Sequence, residues 1–135
     1  MKKVLLVLVA VMLFGFVGKA QGLKVVNKAH YPITYCIGWT QGSSYYSSGW
    51  FEILPGEEKN IKNDDVAYMI YGQQKSGGSK EYVGYDCNLH IHPYNTFNIK
   101  NAHLTYVKNE NPKYVLKNFI RVPFTKTKKS VFTFN

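Results

Sequence analysis

Pro32–Trp39 reads PITYCIGW, and its period decides the fold. Ile33, Tyr35, Ile37 and Trp39 fall on alternate positions. In extended chain alternate side chains share a face, so this stretch presents four large apolar groups to one side. Working outward, the same β-branched and aromatic character recurs in short runs broken by Gly, Pro, Asn and Lys. Upstream lies Leu23–Asn27. Downstream, Gln41–Ser48 is rich in Gly, Ser and Tyr and is predicted as a loop. Trp50–Leu54 follows as a strand, and Pro55-Gly56 as a turn, because Pro presets φ and Gly accepts φ > 0. Lys59–Lys62, Val66–Tyr71, Glu81–Tyr85, Cys87–His92, Thr96–Ile99, Leu104–Val107, Tyr114–Val122 and Val131–Phe134 complete the strand pattern, with Gly72–Lys80 and Lys108–Lys113 as polar connections. No helical period runs through them. About nine or ten short strands at this spacing predict an all-β fold, a single-domain antiparallel β-sandwich.

Composition agrees. The chain has 135 residues, enough for one domain, and aromatic residues make up 16% of it, a bias towards strands. At 45% hydrophobic and 19% charged it carries enough apolar surface to exclude wholesale disorder. The first twenty residues read differently from the rest. Lys2 and Lys3 precede the apolar run Val4–Val17, and Gly18-Lys19-Ala20 places small residues at the −3 and −1 positions of a cleavage site. Residues 1–20 are therefore predicted as a signal peptide and residues 21–135 as the mature β domain, secreted or periplasmic. The apolar run is shorter than the roughly 20 residues a spanning helix needs. No Cys follows the cleavage site to take a lipid.

The segments LKVVNKAHYPITYCIGW (Leu23–Trp39), SSGWFEILPGE (Ser47–Glu57), VAYMIYG (Val66–Gly72) and YVGYDCNLHIHPYNTFNI (Tyr82–Ile99) together resemble domain-of-unknown-function family 1036, an uncharacterised family of exported bacterial domains. The residues that carry the resemblance are Asn27, Gly38-Trp39, Gly49-Trp50-Phe51, Pro55-Gly56, Tyr68, Tyr71, Gly84, Cys87 and Phe97-Asn98-Ile99. It implies a small exported β domain and brings no catalytic residues. Family members often carry a Cys just before the Asn and another just after the Pro-Gly. Val26 and Glu57 stand there here, so the family's disulfide scheme does not transfer. Read physically, Trp50, Pro55 and Gly56 look structural. Burying Trp50 would be worth about 2–3 kcal/mol.

Several constellations could carry function. Tyr45 and Tyr46, set among Ser and Gly, have the composition of a contact loop, and with Trp39 they are the candidate ligand-binding residues. An aromatic hairpin folded back on its own sheet is the alternative. His90 and His92 have the i, i+2 spacing that points two imidazoles one way on a strand, which makes them the candidate metal pair, although a closed zinc site needs four ligands. Cys36 and Cys87 are the only cysteines. Export permits a disulfide between them. The alternation argues against it, because Cys87 falls with Leu89 and Ile91 whereas Cys36 falls with Thr34 and Gly38, opposite the apolar set. Two buried free thiols are the alternative. Asp64-Asp65 and Glu57-Glu58 are neighbours on opposite faces and form no carboxylate dyad. No nucleophile elbow, phosphate loop or metalloprotease helix is present, so neither an enzyme nor a cofactor is implied.

Charge is uneven. Residues 100–135 carry Lys100, Lys108, Lys113, Lys117, Arg121, Lys126, Lys128 and Lys129 against Glu110 alone. Lys117, Arg121, Lys126, Lys128 and Lys129 are the candidate anionic-surface residues. A solvated basic face that aids solubility is the plainer reading. For an exported chain the expected partners are a protein, a glycan or an anionic membrane surface rather than nucleic acid, met by a monomer.

Overall fold

The structure is a computed structural model that describes residues 22–61, 66–76, 78–123 and 129–135. The predicted leader, Asp64-Asp65, Lys126 and Lys128 lie outside the described residues. The described residues form eleven strands and one short helix: β1 (Leu23–Asn27), β2 (Ile33–Gln41), β3 (Ser44–Ile53), β4 (Glu58–Ile61), β5 (Tyr68–Gln74), β6 (Glu81–Tyr82), β7 (Asn88–Ile91), β8 (Phe97–Lys100), α1 (Val107–Glu110), β9 (Val115–Asn118), β10 (Ile120–Arg121) and β11 (Ser130–Phe134). The fold is all-β and sandwich-like. No described helix is long and apolar enough to cross a membrane.

A central sheet runs β10-β5-β2-β3-β8, with β6 also pairing β5. Both of its faces are covered. The odd-numbered face of β2 carries Ile33, Tyr35 and Ile37, and β5 adds Tyr68 and Ile70 beside them. Over these lies the sheet β11-β1-β4, which contributes Leu23, Val25 and Phe134 to the same core. The layers meet so closely at Gly72 that a Cβ there would stand 2.5 Å from the Phe134 ring, so glycine is the residue that fits. β1 and β4 are antiparallel, but β1 and β11 run parallel.

The opposite face is a second core. It holds Cys36, Met69, Tyr71, Phe97, Ile99 and Phe119, covered by Leu89 and Ile91 of the β7-β9 ribbon and by Ala102 and Val107. Leu89 presses on Gly38, where an added Cβ would overlap its Cδ1. The predicted single inward face of Pro32–Trp39 is therefore half of the arrangement. Thr, Cys and Gly at the even positions form a low floor on which β7 can sit.

Three further expectations are corrected. Gln41–Ser48 is not a loop: β2 and β3 are joined by Gly42-Ser43, with Gly42 at φ 64°. Glycine at the first of two loop residues is the type II′ arrangement, whose twist matches that of the strands. Leu104–Val107 is not a strand but a series of turns leading into α1. Tyr114–Val122 is not one strand. β9 pairs with β7 and β10 with β5, so the chain changes sheets at Phe119, which is fully buried, while Leu116 is exposed. Gly84 packs on that corner, its N–H bonded to the Asn118 carbonyl at 3.1 Å, and a Cβ on it would overlap the Phe119 backbone.

Candidate functional site

The two-residue turn sets the register of the β2-β3 hairpin, and the register builds the site. Gln41 pairs with Ser44, Thr40 with Tyr45 and Trp39 with Tyr46. Tyr46 in turn pairs with Lys100 of β8, and Ser48 with Asn98. Trp39, Tyr46 and Lys100 thus form one row across three strands on the face that carries the first core, with Ser48 and Asn98 in the next row. Trp39 packs against the rim of the first core, and both Trp39 and Tyr46 are half-buried. The Trp39 and Tyr46 rings lie parallel, 5° apart, with centroids separated by 5.4 Å. They line an open cleft of about 220 Å³ with Asn98, Ile99 and Lys100. The Ser48 hydroxyl donates to the Asn98 Oδ1 at 2.7 Å. That bond fixes the amide and leaves its N–H₂ free to donate into the cleft. No carboxylate lines the cleft, and among the described residues Lys100 has no ion-pair partner.

Tyr45, the third aromatic candidate, does not join the other two. Neighbours on a strand face opposite sides, so Tyr45 packs towards the second core and its ring meets His103 with centroids 4.6 Å apart. Asn98 and Lys100 went unnamed as candidates in the sequence. They could have been found only by aligning β8 on β3.

A second cleft, of about 320 Å³, lies on the other face and is lined by Trp50, Tyr94, Gln73, Lys75, Thr34 and Thr96 among others. Its indole N–H and its lysine are already engaged. The Trp50 indole N–H donates to the His92 carbonyl at 2.8 Å, and Lys75 pairs with Glu52 at 3.0 Å. Trp50 is half-buried against the second core. Pro55-Gly56 forms a turn in which the Glu57 N–H bonds to the Leu54 carbonyl at 3.0 Å, with Gly56 at φ 83°, the type II geometry.

His90 and His92 do not make a pair. Only His90 lies in β7, which ends at Ile91, and both residues are buried. The His90 Nδ1 lies 2.7 Å from the Ala102 carbonyl, to which it donates. The His92 Nδ1 accepts instead, from the N–H groups of Tyr94 at 3.1 Å and Asn95 at 3.0 Å. The two rings are held as opposite tautomers, and the proton left on His92 Nε2 blocks that nitrogen as a ligand. Among the described residues no three His, Cys, Asp or Glu side chains gather around a common point.

Both cysteines are free and buried, and both belong to the second core. The reading that set Cys36 on a face away from the apolar residues fails because that face is itself a core. Cys87 donates its S–H to the Met69 sulfur at 3.2 Å. The Cys36 sulfur fills the space beside Gly49, where a Cβ would come within 2.8 Å of it. Burial pushes the Cys36 thiol far above its ordinary range. Burial raises that of Cys87 too, with Arg121 opposing and Asp86 assisting. Neither is an activated nucleophile. Ellman's reagent at pH 8 is therefore expected to leave both thiols untouched in native protein and to titrate both after unfolding in guanidinium. Rapid reaction of either in the native state would contradict this placement.

Three of the candidate anionic-surface cations are engaged locally. Lys117 pairs with Glu81 at 3.4 Å and Arg121 with Asp86 at 3.2 Å, while Lys129 donates to the Asn60 side chain at 2.9 Å. Glu81 also accepts from the Tyr71 hydroxyl, and that hydrogen bond above all holds its carboxyl below the usual range. Comparisons with protein-family models, curated proteins and solved structures find no match.

Proposed function

We propose that this chain is an exported, non-catalytic binding module that meets its ligand at the Trp39–Tyr46 cleft. The single observation that carries the reading is the stacked, half-buried aromatic pair that lines an open cleft together with Asn98 and Lys100. An aromatic surface left open beside a fixed amide and a free ammonium is the composition of a small-ligand contact site. The second cleft supports the choice by contrast, since its indole N–H and its lysine are already bonded within the protein. Export is supported by the basic, apolar and small-residue order of residues 1–20. The resemblance to domain family 1036 points the same way.

The test is a printed array of neutral and acidic saccharides, run beside flotation with vesicles of anionic lipid. Wild-type protein is expected to bind at least one saccharide, and Trp39→Ala to weaken that binding by about tenfold or more, because flat aromatic side chains carry much of the energy at such sites. Trp39 is half-buried at the sheet end, so a melting curve shows that the variant stays folded. A silent array, with vesicle binding that Trp39→Ala leaves unchanged, would move the contact surface to the basic stretch.

A further inference from the structure

We infer that the Trp39–Tyr46 cleft takes an acidic saccharide of uronic-acid type, whose carboxylate is held by Lys100. The inference rests on reading that cleft as a binding surface, and it names the ligand class. A pyranose ring has one face of C–H bonds and a rim of hydroxyls. Its C–H protons are slightly positive and suit the electron-rich face of an aromatic ring. The Trp39 and Tyr46 rings stack on each other, 5° from parallel with centroids 5.4 Å apart, so they form one aromatic wall of the cleft against which a sugar's C–H face can pack.

Asn98 stands one row away with its Oδ1 occupied by Ser48, so its amide N–H₂ is the group turned to the hydroxyl rim. Lys100 continues the row Trp39–Tyr46–Lys100 to the outer strand. Its ammonium is the one formal charge in the lining. Lys100 is in none of the described ion pairs, and among the described lysines it is the one that lines this cleft. An ammonium free beside a stacked aromatic wall complements a sugar carboxylate. The excess of 17 Lys+Arg over 8 Asp+Glu favours approach of a polyanion in the same sense.

The experiment titrates wild-type protein calorimetrically with oligogalacturonate and with its methyl ester of the same length, which keeps the sugar and masks the charge. Wild type is expected to favour the acid by about tenfold, the scale of one charge-assisted contact. Lys100→Gln should bring the ratio close to one while weak binding of the ester persists, and Trp39→Ala should weaken binding of both by about tenfold or more. Lys100 is on an exposed strand position, so its replacement leaves the fold intact. Equal affinity of wild type for acid and ester would overturn the acidic class and keep the cleft as a neutral-sugar site. A preference that survives Lys100→Gln would overturn the role of Lys100. Binding of neither probe would overturn the inference as a whole, and the array then decides on the cleft by itself.

Discussion

Phe134→Ala is expected to destabilise the protein by about 3–5 kcal/mol, the usual range for removing a fully buried aromatic ring. Few small domains survive that comfortably, since total stability is about 5–15 kcal/mol. The reason lies in where the ring sits. Phe134 is wholly buried, with the Tyr82 and Phe132 rings edge-on at 4.8 Å and Tyr35 at 5.9 Å. It fills the hollow left by Gly72, so its loss opens a cavity between the two sheets that no flexible neighbour can close. The same strand supplies the control. Val131 is half exposed, and Val131→Ala should change stability by less than about 0.5 kcal/mol. Urea unfolding followed by far-UV circular dichroism measures both. A loss below about 1 kcal/mol for Phe134→Ala would show that the β11-β1-β4 layer does not rest on this ring.

Asn27→Ala comes next, with an expected cost of about 2–4 kcal/mol, because it strands several buried backbone groups at once. The Asn27 side chain is fully buried. Its Nδ2 donates to the carbonyls of Tyr31 at 3.0 Å and Ile53 at 3.1 Å, and its Oδ1 accepts from the Ala29 N–H at 2.9 Å. Its own backbone bonds to Glu57 and Gly56 at the Pro55-Gly56 turn. One amide thus ties together the end of β1, the approach to β2 and the end of β3. Asn27→Asp separates this account from simple loss of volume. The replacement is nearly isosteric but turns a carboxylate towards two carbonyl oxygens. That environment raises its pKa in the folded state above the unfolded value. A raised folded pKa means that stability is fully present below the unfolded pKa and is lost as pH rises through the folded one. Asn27→Asp should therefore be less stable than Asn27→Ala at pH 7 and recover towards pH 4. A pH-independent deficit would contradict the proposed hydrogen bonding.

How much of this was legible in the sequence depends on which physical signal each element leaves. The period of two in Ile33, Tyr35, Ile37 and Trp39 announced β2, and the boundaries of β1 were read as the structure has them. The second face of β2 was hidden because Thr34, Cys36 and Gly38 do not look like a core. Gly38 is small because Leu89 needs the space, which is a fact about a strand some fifty residues away. The break at Phe119 was equally silent, since a change of sheet leaves the local alternation unmarked. Parallel pairing of β1 with β11 depends on the whole topology.

The site was closer to the surface of the sequence than the reading made it. Gly42-Ser43 between two runs of strand-forming residues is a hairpin signal, masked by the Ser and Tyr that follow and that suggest a loop. Once the turn is recognised, counting back from it pairs Trp39 with Tyr46 and sends Tyr45 to the other face. Lys100 and Asn98 require one further alignment, of β8 on β3, which no local pattern supplies. His90 and His92 were misjudged for a related reason. Their spacing is that of a shared strand face, but the strand ends between them.

The most direct measurement of the central claim follows the two indole N–H signals, one from each of Trp39 and Trp50, in a proton–nitrogen correlation spectrum while oligogalacturonate is added. The Trp50 N–H is bonded to the His92 carbonyl, so it should exchange slowly and stay in place. The Trp39 signal should shift progressively and saturate. Movement of the Trp50 signal with Trp39 unmoved, or no movement of either, would contradict a saccharide bound in the Trp39–Tyr46 cleft.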